Sequence, residues 1–301
     1  MLTRLLLACA AWLLAACSSL DVHRSNTAHV RPALQFAAPD RVARASDAAE
    51  IFALEPCDPA RLAVLFVHGA NGSPNDWRSF AERLDRSRYQ ALFFAYPPDA
   101  SIDEAARRLH AKLLDLQRRH GCAPVVLTAH SLGGLVVRAF LLEHGAAFPQ
   151  ATLFVSLSTP WAGEPLAKLG VRLAPMHPPA WADLVPQSRT LRRLFASPLP
   201  QHVRHVLFFS HKRRYSILPG NRDGVVTLAS QLDQRAQREA VLVVGFDEDH
   251  EGILESSQVF ERYAALLGTT YRSMPEPVPG TADGRACDGG SCALRNTRGA
   301  R

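Results

Sequence analysis

Two hydrophobic periods alternate along the chain. Residues 62–67 are apolar throughout, the pattern of a strand covered on both faces of a sheet. Residues 90–96, 124–129, 152–157, 202–209 and 240–246 repeat that pattern. Between these runs the apolar positions switch to helical spacing. Trp77, Phe80, Ala81 and Leu84 predict one helix. Ser101 and Glu104 predict a capping box that opens a second, with Ile102, Ala105, Ala106, Leu109 and Leu113 on one face and an end near His120. A third covers residues 135–144, and a last one covers 256–267, with Gly268 as its stop signal. Strands alternating with helices predict an α/β fold built on a doubly wound, mostly parallel sheet. Residues 161–200 break the rhythm: they are rich in proline, with short amphipathic pieces at Leu191, Leu194 and Phe195, and read as a cap or lid inserted over the C-terminal edge of the sheet.

The two ends differ from this core. Met1 to Arg4 carries one positive charge, residues 5–14 are apolar, and Leu14-Ala15-Ala16-Cys17 closes the run. The run is too short to span a bilayer and has the layout of a signal peptide. Its ending resembles a bacterial lipobox, which implies cleavage before Cys17 and acylation of that cysteine. The serines after Cys17 resemble an outer-membrane sorting signal. Residues 1–16 are therefore expected to be a lipoprotein signal peptide, 17–48 a tether, 49–269 the folded domain and 270–301 a flexible tail.

Composition narrows the classes. The 301 residues are 47% hydrophobic and 21% charged, ordinary for a globular chain of one large domain. A net charge of +6 is compatible with an anionic membrane surface and gives no indication of nucleic-acid binding. Export would place the cysteines in an oxidising compartment. With Cys9 in the signal and Cys17 acylated, Cys57, Cys122, Cys287 and Cys292 remain, and three pairings are open. Cys287 and Cys292 would close a small local loop; Cys57 and Cys122 each precede an apolar strand. Their spacing is not that of a metal site, and no metal or organic cofactor is indicated.

The chemistry centres on Ala129-His130-Ser131-Leu132-Gly133-Gly134, which joins an apolar strand to an apolar helix. This is the layout of a nucleophile elbow, G-x-S-x-G, with Ala129 in place of the first glycine. As a nucleophile, Ser131 needs a base, an acid that orients the base, and donors for an oxyanion. The nucleophile-elbow motif goes with an acid and then a histidine later in the chain. Asp223, in Asn-Arg-Asp-Gly-Val-Val, and His250, in Asp-Glu-Asp-His-Glu-Gly, lie on loops after the later strands in that order. Asp247 and Asp249 are rival acids, but neighbours in sequence seldom face one another. His130 is expected to point away from the base. The backbone N–H groups of Leu132 and of Ala70, in His68-Gly69-Ala70, are the expected oxyanion donors.

Val-His-Gly-Ala-Asn-Gly-Ser, Ala-His-Ser-Leu-Gly-Gly, Ser-Thr-Pro-Trp-Ala-Gly, Asp-Gly-Val-Val and Asp-His-Glu-Gly occur in this order over residues 60–267. Together they resemble the lipase and esterase branch of the α/β-hydrolase superfamily. The resemblance implies a serine hydrolase that cleaves carboxylic esters through Ser131, Asp223 and His250 and an acyl-enzyme. It implies that Trp161 lines the acyl pocket. It also sets the strand before His68 beside the strand before Ser131, implying a Cys57–Cys122 disulfide. The expected partners are a small-molecule or lipid ester and, through the lipid anchor, a membrane. An acyltransferase or a phospholipase would use the same triad, and a non-catalytic lipid-binding lipoprotein of the envelope is the reading from another class.

Overall fold

The computed structural model describes residues 49–173, 177–212 and 221–273. The expected signal peptide, the acylated Cys17, the tether, most of the tail and the Cys287/Cys292 pair lie outside the described residues. Seven strands form one sheet: β1 (Glu50–Ala53), β2 (Leu62–Val67), β3 (Tyr89–Ala95), β4 (Val126–His130), β5 (Leu153–Leu157), β6 (Arg204–Ser210) and β7 (Ala240–Phe246). Their order is β1-β3-β2-β4-β5-β6-β7, with β1 antiparallel and all other pairs parallel. Every residue of β2, β4 and β5 is buried, which is why these strands read as mostly apolar runs. β7 instead alternates between half-buried and exposed positions, as an edge strand does, and Val241 and Val243 are exposed.

Strand alternation divides the core in two. Ala63, Leu65, Val67 and Leu127 face α2 (Ile102–His120) and α3 (Leu132–His144). Leu62, Val64, Phe66 and Val126 face α1 (Arg78–Arg83) and α9 (Ser257–Arg272), the last of the helices. The first turn of the α1 region is a 3₁₀ helix, Pro74–Trp77, opened by Ser73 and Asp76 in a reciprocal capping box. At α2 only half of the expected box forms. Ser101 accepts from the Glu104 N–H, while the Glu104 carboxylate turns to Arg108. Gly121, at φ 63°, ends α2 in a left-handed cap.

Gly268 does not stop the last helix. α9 runs on to Arg272 because the added turn is anchored: Thr270 is buried and Tyr271 packs edge-on against Tyr89 at 5.9 Å. Those contacts outweigh the cost of about 1 kcal/mol for an interior glycine. Cys57 and Cys122, leading into the neighbouring strands β2 and β4, are joined in a disulfide. Among the described residues no helix is long and apolar enough to cross a membrane.

Between β5 and β6 the chain forms α4 (Pro165–Leu173), α5 (Pro179–Asp183) and α6 (Arg189–Leu194). Its two ends differ. α4 has no buried residue, and Leu169 and Leu173 are 46% and 64% exposed. α6 is locked to the domain. Leu191 and Leu194 are core residues, and the fully buried Arg138 of α3 donates from Nε to the Leu194 carbonyl at 2.6 Å. Arg138 also forms a bidentate pair with Glu239. The ring of Phe195 carries the Arg138 guanidinium at 4.1 Å and that of Arg235 at 4.3 Å. Two short helices that periodicity alone did not mark, α7 (Leu228–Gln231) and α8 (Gln234–Glu239), lie between β6 and β7.

Candidate active site

β4 delivers the chain to Ser131, which sits at φ 52° and ψ −126°. For a residue with a side chain, such a conformation costs on the order of 1–3 kcal/mol and persists only when its surroundings enforce it. They do so here: the Ser131 N–H donates to the Leu157 carbonyl at 2.9 Å, and the Ser131 carbonyl accepts from the Gly134 N–H at 3.0 Å. Ser131 occupies the N-cap position of α3, yet its side chain makes no capping hydrogen bond. That removes capping as the reason for a serine at this point. Gly133 allows the elbow to close, because a Cβ there would run into the carbonyl oxygens of Val67 and His68. Ala129 is tolerated where the pattern has glycine. It lies in the buried register of β4, between Val67 and Ser156, and packs into the core.

The loop after β2 comes up beside the serine. A Cβ at Gly69 would stand 2.9 Å from the Ser131 Cβ, so only glycine lets the two backbones approach this closely. His68 orders this loop. Its Nδ1–H donates to the Gly69 carbonyl at 2.8 Å, its Nε2 faces the Tyr96 N–H, and its ring stacks on Tyr96 at 4.4 Å. Burial lowers the His68 pKa to about 4, so the ring is neutral. Ala70, next along the loop, is exposed. Leu132 is the first residue of α3, where a backbone N–H has no carbonyl one turn back to bond.

Asp223 and His250 meet. His250 Nδ1 lies 2.7 Å from Asp223 Oδ2, and the His250 N–H donates to the Asp223 carbonyl at 3.0 Å. The same Oδ2 accepts from Ser210 Oγ at 2.6 Å and from Gln231 Nε2 at 3.0 Å. Oδ1 accepts from the Val225 and Val226 N–H groups at 3.0 and 2.8 Å. Burial by itself would raise the Asp223 pKa, but the hydrogen bond from His250, its charge, and the Ser210 and Val226 donors outweigh burial and hold it below the usual carboxylate value. The rival acids are elsewhere. Asp247 is exposed beside His211, and Asp249 accepts from the Gly252 N–H in its own turn.

Three placements depart from expectation. His130 does not point away from His250. Its Nε2 is 2.8 Å from the His250 carbonyl, and the two rings lie 4.6 Å apart. The loop after β7 that carries His250 passes beside the last residue of β4. Trp161, expected to touch substrate, is fully buried. It packs edge-on against Phe154, His205 and Phe195, as a core ring. Among the described residues the Ser131 hydroxyl makes no hydrogen bond to His250, and the elbow reaches the base loop through His130. In the free form of such sites this bond is commonly long.

Ser210, Gln231 and Ser158 were not singled out from sequence. Ser158 donates to Ser210 Oγ at 2.6 Å, and Ser210 passes the contact on to Asp223. Gln231 clamps both the Ser210 backbone and the carboxylate. The available signal was a serine at or just past the C-terminal end of each of two mostly apolar strands. Among the described residues no group of three or more His, Cys, Asp or Glu side chains is arranged to hold a metal ion.

Comparison with known proteins agrees with this architecture. A comparison with curated proteins finds no match. The Bacillus licheniformis lipase BlEst2 in its mature form superposes with a TM-score of 0.57 at 22% identity, over 72% of this chain and 97% of that one. The metagenomic carboxyl esterase MGS0156 gives 0.51 at 18%, over 72% and 77%. The lin2722 product of Listeria innocua gives 0.53 at 15%, over 69% and 94%. The family model described as the alpha/beta hydrolase family matches residues 64–281, which contain the elbow, the loop after β2 and the Asp223–His250 pair, and the chain belongs to that family.

Proposed function

We propose that this hydrolase cleaves carboxylic esters through Ser131, His250 and Asp223. The observation that carries the reading is the Asp223–His250 pair, set beside a serine held in a strained elbow turn that does no capping. Ser131 Oγ attacks the ester carbonyl as His250 Nε2 takes its proton. Asp223 holds Nδ1–H and stabilises the imidazolium. The Leu132 and Ala70 N–H groups receive the oxyanion. His250 then protonates the leaving alcohol, and water, activated by the same ring, releases the acid from the acyl-enzyme.

An apolar, lipid-like acyl group is part of the proposal. Val225, two residues from Asp223, is 50% exposed, and Glu164, just ahead of α4, accepts from the Thr227 N–H. The exposed Leu169 and Leu173 of α4 follow on from that contact. We read residues 161–200 as the cap that selects the ester, with α4 its substrate-facing part. The signal peptide, acylation at Cys17 and an outer-membrane address belong to the same proposal. The Cys57–Cys122 disulfide supports an oxidising compartment. The lipase and esterase neighbours supply the fold at these identities; the activity is argued from the residues.

The test is hydrolysis of short- and long-chain nitrophenyl esters by the wild type and Ser131→Ala. The expected result is loss of turnover in the variant, and equal rates would refute the proposal. Loss confined to long chains on altering α4 would place acyl selection there.

A further inference from the structure

We infer that His130 is a positioning residue for the hydrolytic site: a strut that fixes the backbone of the catalytic base and couples it to the elbow and to the loop after β2. The inference rests on the reading of Ser131, His250 and Asp223 as the triad.

The geometry is specific. The His250 carbonyl has no proton to give, so His130 must carry its hydrogen on Nε2 and donate it across the 2.8 Å contact. The neighbouring His250 N–H is held by the Asp223 carbonyl at 3.0 Å. The main-chain polar groups of the base residue are thus pinned on both sides, one by the acid and one by the neighbour of the nucleophile. The other nitrogen, Nδ1, points to the loop after β2, 3.4 Å from where a Gly69 Cβ would lie. One buried ring therefore touches the base loop and the loop after β2, and it is bonded in sequence to Ser131.

Its electrical state suits that position. The titratable groups that act on His130 are His250, Asp223 and His68, and burial dominates over all three, lowering its pKa to about 3. His130 stays neutral while His250 cycles through its protonated form. A charged ring 4.6 Å away would oppose that cycle. A histidine serving only as core filling would tolerate an isosteric apolar ring. A strut would not, because the His250 carbonyl would lose its donor.

The experiment compares the full chain with His130→Gln, His130→Phe and His130→Asn. Glutamine places an amide N–H2 at the reach of Nε2. Phenylalanine keeps the volume and removes the donor. Asparagine keeps polarity but falls short of the carbonyl, and replaces phenylalanine if that variant does not fold. Expected for Phe or Asn is a fall in kcat of about 10²-fold with KM for a short-chain ester unchanged. The pH profile should change, and the low-field proton resonance of the His250–Asp223 hydrogen bond should shift or broaden. Glutamine should restore all three. Wild-type kcat, profile and resonance in the Phe or Asn variant would overturn the inference while leaving the triad standing, as would failure of glutamine to restore them. A wild type that neither hydrolyses esters nor is labelled at Ser131 by a fluorophosphonate would overturn the triad reading, and this inference with it.

Discussion

The Asp223 carboxylate meets the His250 ring at 2.7 Å while accepting four further hydrogen bonds, from Ser210, Gln231, Val225 and Val226. It is therefore fixed independently of the histidine. Asp223→Asn should leave the fold intact, because the amide oxygen can keep the Val225 and Val226 N–H contacts and Ser210 can reverse its hydroxyl towards the new amide. The histidine would lose its orienting anion, and kcat should fall by about 10³- to 10⁴-fold. Steady-state kinetics on a nitrophenyl ester, with thermal melting as the control for folding, check this.

Gly133 closes the elbow against the carbonyls of Val67 and His68. Gly133→Ala places a methyl group against backbone oxygens that cannot rotate away. The expected cost is about 1–3 kcal/mol of stability. The loop after β2 would also be pushed off Ser131, so activity should fall further than the stability loss explains. Urea unfolding and kcat/KM measured on the same preparation separate the two effects.

Three buried histidines set the acid limit. Burial lowers the pKa values of His68, His130 and His205 to about 4, 3 and 3. Below the usual histidine value of about 6.5 the unfolded chain takes up protons that the folded chain refuses. Stability therefore falls as pH drops from about 6.5 towards 4, by up to about 1.4 kcal/mol per pH unit for each ring. Asp223 acts at lower pH. Its folded pKa is depressed, so its contribution is present above the unfolded carboxylate value and is lost only as pH falls through the folded one. Melting temperature should thus begin to fall near pH 6.5, before carboxylates titrate; a flat curve from pH 7 to 5 would contradict this. Exchanging His205, stacked on Phe154 at 4.8 Å, for phenylalanine should make the curve shallower.

The disulfide closes a loop between residues 65 positions apart that contains β2, α1, β3 and α2. Loop-closure entropy alone makes it worth roughly 4 kcal/mol. The paired substitution Cys57→Ser and Cys122→Ser should lower the unfolding midpoint accordingly. Added reductant should lower that of the wild type and leave the variant unmoved.

Much of this was legible in the sequence, for identifiable reasons. Strands β2, β4 and β5 are buried on both faces, so they read as mostly apolar runs. Ser131 follows directly on β4, and Asp223 and His250 lie on the loops after β6 and β7, where a parallel sheet gathers its loops. What escaped depends on side-chain direction across loops. Nothing in His130 itself tells that it turns towards His250. Nothing in Ser-Thr-Pro-Trp tells that Trp161 goes into the core rather than to the surface. Ser210 and Gln231 are common residue types whose meaning comes from a carboxylate elsewhere in the chain. Gly268 carried a real stop signal that tertiary contacts of Thr270 and Tyr271 overrode.

The unequal anchoring of the segment between β5 and β6 sets which part of the chain is free to diverge. Residues 189–199 are held through the Leu194 carbonyl and the Phe195 ring on Arg138 and through the Leu199 N–H on Glu239, so any replacement there must keep its fit to that ion pair. α4 contributes no buried side chain, and its replacement leaves the core untouched. For protein engineering, α4 is the part of this segment open to exchange and α6 is part of the chassis.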